Sequence, residues 1–184
     1  ITDNEGAIYE AVKRNLESSE YRLDTGRGSS TSTADYQALL LMYKVSELLA
    51  GAADLDSFIN SVADLVMEQV RADTVVVLSR SADGDVQPRV IRHRGALDPG
   101  EVPISRSIIE MVIRSRAPVI SADALNDERI KAGQSLALYN IKAVLAAPLL
   151  LENDVRGVLY LNRSGPVPFT KADGELVAAL AALL

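Results

Sequence analysis

The fold is decided by the stretch from Ile104 to Phe169, which reads ISRSIIEMVIRSRAPVISADALNDERIKAGQSLALYNIKAVLAAPLLLENDVRGVLYLNRSGPVPF. It opens with the spacing of a short helix, continues as a polar segment over residues 121–141, and closes with two apolar runs joined at Asn153 and Asp154. Two apolar runs of about ten residues joined by a tight polar turn predict a pair of antiparallel strands. Such strands build a scaffold, so we expect any binding specificity to lie in residues 121–141.

Upstream of this stretch, the pattern predicts two helices and a second strand pair. The helix after Thr33 is apolar on two sides, so one side is available to a partner helix. Asp54 is placed to cap the second helix. The run Thr74–Leu78 is apolar and β-branched, as in a strand covered on both faces, and Pro88 puts the returning strand at an edge or a bulge.

Capping signals predict two further helices. Ser107 and Glu110 have the spacing of a capping box, and Thr170 and Asp173 open a last helix near the end of the chain. Pro118 ends the first of these helices, and a short strand follows it. The order is helix, helix, strand, strand, helix, short strand, loop, strand, strand, helix, which indicates an α+β fold in layers.

The composition excludes several classes of function. The chain has 184 residues and a formal net charge of −6, whereas nucleic acid and anionic membranes bind basic surfaces, so we expect direct contact with neither. The sequence contains no cysteine, which excludes disulfides, thiolate catalysis, cysteine-ligated metals and thioether-linked bilins. No apolar run approaches the roughly 18 residues of a membrane-spanning helix, and we expect the cytoplasm to be the compartment.

Residues 1–32 differ from the rest of the chain. They contain the run DTGRGSSTST, which has too few apolar side chains to offset the entropy of ordering. We therefore expect 1–32 to be a linker from an upstream domain and 33–184 to be one domain. The missing initial Met indicates a longer protein, and the apolar last helix is expected to continue into a downstream module.

Three segments in order carry a resemblance to a known family. They are SRSIIEMVI followed by APVISADALND, then AVLAAPLLLENDVRGVLYL, and finally FTKADGELVAAL. With them, the span from Ala34 to Leu184 resembles a GAF domain. The motif RHR before ISRSIIE, followed by SADAL, is similar to GAF domains that come after a forkhead-associated domain in bacterial signalling proteins and transcriptional regulators.

The resemblance implies a PAS-related antiparallel sheet of five to six strands, with helices packed behind it in α/β/α layers. It implies a ligand cavity between the sheet and the loop segment, although members of the family differ so widely in ligand that the ligand stays unknown. It also implies a homodimer formed through the first and last helices. The residues that we expect in these dimer helices are Tyr36, Leu40, Tyr43, Leu180 and Leu184.

Several polar residues are candidates for lining such a cavity. Arginine suits the bidentate capture of a carboxylate or phosphate, so an anionic small molecule is one possible partner; the alternative is a solvated face that balances 25 acidic residues. The candidates are Arg92, Arg94, Ser107, Asp123, Asn126, Arg129 and Tyr139. Nothing in the sequence chooses among ligands.

The sequence gives little support for catalytic activity or for a metal site. His93 is the single histidine, no nucleophile motif accompanies it, and we expect it at the surface or the rim of the pocket. A zinc site needs more than one such ligand, so no metal site is predicted. Asp123 and Asp127 with Tyr139 offer oxygen ligands for an iron site of the nitric-oxide-sensing kind, but the cysteine of that site is missing. Asn126 to Glu128 partly match the cyclic-nucleotide signature of the family, without its Asn-Lys pair and Phe.

The sequence therefore predicts a non-catalytic sensory or regulatory domain of a bacterial multidomain signalling protein or transcriptional regulator. It would pass a ligand or an upstream signal to an output module through dimer helices. One alternative is a ligand-free dimerisation spacer, and a second is a cyclic-nucleotide-binding module. An enzyme of the free methionine sulfoxide reductase type is disfavoured, because its chemistry needs cysteines.

Overall fold

Five strands and five helices form from these patterns in the part of the chain that the structure describes. The computed structural model describes residues 43–95, 102, 104–130, 134–152 and 154–184, so the predicted linker 1–32 lies outside it. The helices are α1 (43–51), α2 (Leu55–Val70), α3 (Arg106–Ser115), α4 (Gln134–Leu138) and α5 (Lys171–Ala181). The strands are β1 (Thr74–Arg80), β2 (Val86–His93), β3 (Val119–Ser121), β4 (Ala143–Leu151) and β5 (Asp154–Arg163).

The strands form one antiparallel sheet in the order β2-β1-β5-β4-β3. Strand β1 lies between β2 and β5, which confirms that the run beginning at Thr74 is an inner strand. At the edge, Val77 pairs with Val90 while Leu78 pairs with Pro88. The extra residue, Arg89, makes the bulge that Pro88 predicts at an edge strand.

The sheet is covered on both faces. Helices α2 and α5 pack on one side, which we call the back face, and it carries Val75, Leu145 and Leu161. Helix α3, α4 and the described residues of 121–141 cover the other side, which we call the front face. Alternating side chains of each inner strand therefore enter two separate apolar layers. This is the predicted α+β fold with helices packed on an antiparallel sheet.

Two of the three predicted helix caps are confirmed. The Asp54 side chain accepts a hydrogen bond from the Ser57 backbone N–H at 2.7 Å, and Thr170 forms a full capping box with Asp173. The predicted box at Ser107 is wrong. Helix α3 starts two residues earlier, after Ser105, whose hydroxyl lies 3.0 Å from that of Ser107 instead of capping the helix.

The backbone conformation of the residue that ends α3 leads to a prediction about stability. Arg116 caps this helix with φ 53°, a left-handed conformation in which a Cβ is strained. Replacing Arg116 with glycine is expected to raise the free energy of unfolding by about 1 kcal/mol. The matched control is Arg114→Gly, two residues earlier inside the helix, which is expected to lower it by about 1 kcal/mol. Urea denaturation measures both; equal effects of the two variants would contradict the strained cap.

Candidate functional site

The predicted pocket position, between the sheet and residues 121–141, is occupied by a buried apolar cluster. Its floor is made by Val76, Ala146 and Tyr160 on the front face. Ile108 of α3 and Leu136 of α4 lie over them, and both are fully buried. Ile109, Val112, Ala124, Ile130 and Ile141 complete this cover. In the part of the chain that the structure describes, apolar side chains thus cover the front face.

A row of polar side chains crosses the front face at one end of the sheet. Thr74 pairs with His93 on one side and with Asn162 on the other. Asn162 pairs with Val144, which in turn pairs with Ser121. Directly opposed residues of antiparallel strands share a face, so these polar side chains lie in one line. The row consists of His93, Thr74, Asn162 and Ser121.

The row offers hydrogen-bonding groups. Thr74 Oγ1 lies 2.8 Å from His93 Nδ1, and Thr74, Asn162 and Ser121 are buried while His93 is half-buried. Because the Thr74 hydroxyl is fully buried, its contact with His93 ties β1 to β2 and does not present a nucleophile to a substrate. From sequence only His93 is singled out. The signal for the others is a polar residue at the end of an apolar strand, which is common at strand ends and carries little information.

Tyr160 fixes the start of α3 on the sheet. It is fully buried, and its hydroxyl accepts a hydrogen bond from the Ser105 backbone N–H at 3.2 Å. Burial raises the pKa of Tyr160 above its ordinary value, so the phenol stays neutral. Tyr160 therefore satisfies a helix N-terminus and does not act as an acid or base at neutral pH.

The structure places Arg92 and Arg94 away from the predicted pocket. Arg92 Nε donates to Asp64 Oδ1 at 2.5 Å and its Nη2 to Asn60 Oδ1 at 2.8 Å, both on α2. Arg94 donates to two backbone carbonyl oxygens at the end of α2, those of Met67 and Ala72. Since α2 covers the back face, both arginines hold that helix to the edge strand. The expectation that they line a front-face cavity is corrected by this geometry.

Arg129 is bound within its own turn. Its Nε and Nη2 contact the two carboxylate oxygens of Asp127 at 2.9 and 2.6 Å, and Nη2 also donates to the Ile120 carbonyl at 3.0 Å. The Arg129 guanidinium holds the pKa of Asp127 well below its ordinary value. Arg129 therefore joins the turn to the edge strand β3.

The remaining pocket candidates are spread over separate places. Asp123 accepts two hydrogen bonds from Asn126, one from its side-chain amide at 2.7 Å and one from its backbone, and both residues are exposed. Tyr139 is half-buried and packs against the front cluster, and Ser107 is half-buried beside Ser105. The structure brings Asp123 and Asn126 together in one turn, but it does not unite the seven candidates into one site.

The predicted dimer residues also divide. Tyr36 and Leu40 lie outside the described residues. Tyr43 is 62% exposed, and Leu184 is half-buried. Leu180 is 1% exposed within its own chain, so it packs into the core and is not available to a partner. Leu183, three residues further along the chain, is exposed.

The described residues contain neither a metal-binding cluster nor a helix able to span a membrane. No cluster of three His, Asp or Glu side chains with the geometry of a metal site occurs among them. Within the same residues, no helix combines the length and apolar character that crossing a membrane requires.

The lowered pKa of Asp127 predicts that the stability of the protein depends on pH. Its pKa is lowered in the folded state, so its contact with Arg129 stabilises the fold above the unfolded pKa of about 4 and is lost as pH falls. At neutral pH, Asp127→Asn is expected to lower the free energy of unfolding by about 1 kcal/mol, since the partner is largely exposed. Denaturation of both proteins from neutral pH to pH 3 should show this difference shrinking below about pH 4. A difference that stays constant with pH would contradict it.

These observations define the class of protein. The domain is α+β: an antiparallel sheet of five strands carries helices on both faces. On the front face, described residues of 121–141 also cover the sheet. The chain belongs to the GAF family, because the model of the GAF domain matches residues 54–184. GAF domains are sensory or regulatory domains of signalling proteins and are generally non-catalytic.

Solved structures agree with this assignment. The GAF domain of a phosphoenolpyruvate-protein phosphotransferase from Coxiella burnetii has a TM-score of 0.66 at 17% identity, covering 83% of this chain and 92% of that one. The GAF domain of a two-component sensor histidine kinase from Bacillus halodurans has a TM-score of 0.57 at 22% identity, covering 72% and 92%. At these identities the matches establish the fold.

An enzyme is also among the similar structures. The type II free methionine-R-sulfoxide reductase from Thermoplasma acidophilum has a TM-score of 0.56 at 13% identity, covering 71% of this chain and 92% of that one. The fold therefore does not by itself decide between sensing and catalysis. No curated protein matches the chain significantly.

Proposed function

We propose that the chain is a non-catalytic sensory or regulatory domain of a bacterial multidomain signalling protein or transcriptional regulator. In this proposal a ligand or an upstream signal acts on the cover of the front face, and helices at a homodimer interface pass the change to an output module. The single observation that carries it is the exposure of apolar side chains on the terminal helical segments. Tyr43 and Leu49 are both 62% exposed, and Leu183 is 51% exposed.

These positions fit a dimer interface better than a solvated surface. Among the described residues, helices cover both faces of the sheet, and the apolar side chains at the two ends of this part of the chain stay exposed. Large apolar side chains left at the surface mark interaction sites when they cluster. A second copy of the chain would cover them and would bring two terminal helices together.

Absence of catalysis is supported by the residues that would have to perform it. The chain has no cysteine, and its one histidine contacts a threonine that is fully buried. Nucleophilic catalysis needs a reactive group that a substrate can reach. Thr74 is out of reach, and the sequence offers no thiol in its place.

Ligand sensing is tested by thermal stability. A panel of cyclic nucleotides, nucleotides and small carboxylic acids is added to the full 184-residue chain. A ligand that binds the folded state at about one hundred times its Kd stabilises it by about 2.7 kcal/mol, which raises Tm measurably. Ser121→Ala on the front face should weaken the shift, whereas Ser61→Ala on α2, behind the sheet, should not.

A ligand-free spacer is the second candidate function, and a specific observation favours it. Among the described residues, side chains of the chain itself cover the front face, and Leu136 and Ile108 of this cover are fully buried. If no compound in the panel raises Tm, the spacer is favoured over the sensor. A cyclic-nucleotide module gains no such support, because Asn126 and Asp127 are engaged within their own turns by Asp123 and Arg129.

A further inference from the structure

Ile120, the middle residue of β3, contacts the front loop and the last helix at the same time. Its backbone carbonyl accepts a hydrogen bond from Arg129 Nη2 at 3.0 Å. Its side chain points to the back face, because Ile120 pairs with Leu145 and side chains alternate along a strand. There it meets Gly174 of α5. One residue therefore touches both layers that cover the sheet.

The contact with the loop is firmly held. Arg129 is fixed by both carboxylate oxygens of Asp127, and the Arg129 backbone N–H donates to the same side chain at 3.1 Å. The next residue, Ile130, donates its backbone N–H to the Asp127 carbonyl at 2.9 Å and buries its side chain in the front cluster. A rearrangement of the front cluster that moves Ile130 would therefore move the guanidinium that holds Ile120.

The contact with the helix is equally close. A Cβ on Gly174 would lie 2.5 Å from Ile120 Cδ1, so a side chain at position 174 would force the end of the Ile120 side chain to move. Gly174 lies in the first turn of α5, directly after the capping box of Thr170 and Asp173. The start of α5 therefore rests directly on Ile120.

Strand β3 is also the part of the sheet best able to shift. It has three residues, lies at the edge of the sheet, and among the described strands pairs only with β4. A short edge strand with one neighbour can change position without breaking the ladders among β1, β2 and β5. Arg129 holds β3 through its hydrogen bond to the Ile120 carbonyl. Whether that hydrogen bond is made or broken therefore affects the position of Ile120.

We propose that β3 couples the front loop to α5: the contact of Arg129 with Ile120 positions the strand, and Ile120 transmits that position to the first turn of α5 at Gly174. This deepens the proposed function by naming a route from the sensing face to a terminal helix, and it rests on that function only for its use in signalling. The physical link itself is tested without any ligand, so its failure is distinguishable from failure of the sensor.

The test is amide hydrogen exchange of the full chain, read residue by residue by NMR. Arg129→Met removes the hydrogen bond to Ile120, and amides of residues 174–178 are expected to exchange roughly tenfold faster, the effect of losing one hydrogen bond to a charged group. Arg156→Met is the matched control: it removes an exposed arginine paired with Asp154 on the same sheet. Exchange in α5 should not change in this control.

Coupling is reciprocal, so the link is also tested from the helix end. Gly174→Ala pushes against Ile120, and the Ile130 amide in the loop is expected to exchange roughly tenfold faster, as in the reverse direction. Ala179→Gly weakens the same helix at an exposed position away from Ile120 and should leave the Ile130 amide unchanged.

Two results would overturn the proposal. One is unchanged exchange in α5 when Arg129 is replaced. The other is an equal rise in α5, β1 and β5, which would mean general destabilisation and no specific link. If Arg129→Met does not fold, Arg129→Lys replaces it, since lysine keeps the charge and loses the bidentate fork. The same two outcomes then decide.

Discussion

Replacing Gly157 with alanine is expected to lower the free energy of unfolding by about 3 kcal/mol. Gly157 lies in β5, the central strand, where a Cβ would be 2.2 Å from the Leu78 backbone oxygen and 2.9 Å from Leu149 Cδ1. The first of these atoms belongs to the backbone of a paired strand and cannot turn away as a side chain can. The two strands would have to separate at that point, and the ladder between them would be damaged.

Gly165→Ala is the matched control for this prediction. No atom lies within 4 Å of a Cβ at Gly165, and this residue is in the connection after β5. The control is therefore expected to change stability by less than about 0.5 kcal/mol. Chemical denaturation of the three proteins measures the difference. A loss below 1 kcal/mol for Gly157→Ala would show that β5 is not packed against β1 as described.

Arg163→Met is expected to cost about 3 kcal/mol, the second large effect. Arg163, at the end of β5, donates to the Val70 carbonyl at the end of α2 and to the Pro168 carbonyl at 2.9 Å. Its guanidinium also lies 4.2 Å from the centre of the Phe169 ring. Methionine would fill much of the volume but leave the carbonyl oxygen of the buried residue Val70 without this donor, which costs about 1–3 kcal/mol, and would also remove the contacts with Pro168 and the Phe169 ring.

Two variants make this prediction specific. Arg163→Lys keeps the positive charge but cannot reach several carbonyls from one planar group, so it is expected to recover little of the lost stability. Arg156→Met removes an arginine on the same strand that is mostly exposed, and it should have almost no effect. Equal losses for the variants at 163 and 156 would mean that Arg163 does not connect the sheet to α2.

Local sequence signals predicted the elements well, because the deciding interactions are short-range. The apolar β-branched run at Thr74 became an inner strand, and the caps at Asp54 and Thr170 formed as expected. The predicted cap at Ser107 failed although its spacing to Glu110 fits a capping box, because the observed N-cap is Ser105, whose backbone N–H is bound by the distant Tyr160 hydroxyl. The helix of ten residues therefore begins two residues earlier than the predicted cap implies.

The orientation of side chains on the sheet could not be predicted in the same way. Arg92 lies on the back face because the bulge at Arg89 changes the alternation along β2, and a shift of one residue sends a side chain to the opposite face. The polar row is assembled from four strands, so only the register of the sheet reveals it. The contact between Ile120 and Gly174 likewise depends on packing between elements that are distant in the chain.

These limits bear directly on function. The family and the fold follow from patterns along the chain, whereas the candidate site depends on which side chains the sheet brings together. With Arg92 and Arg94 bound to α2, an anionic ligand loses two of its predicted partners. Three features remain that bear on the proposed signalling role. They are the apolar cover of the front face, the proposed link through Ile120, and the exposed apolar side chains at the two ends of the domain.

Sedimentation equilibrium of the full chain tests the central proposal, a regulatory domain that acts through a dimer of its terminal helices. The account predicts a species of twice the 19.8 kDa chain mass at micromolar concentration. Leu49→Glu and Leu183→Glu should convert it to monomer, whereas Leu138→Glu, at a 72% exposed position on α4, should leave the dimer intact. A wild-type chain that stays monomeric up to about 100 μM, a Kd too weak for a stable interface, would contradict the account.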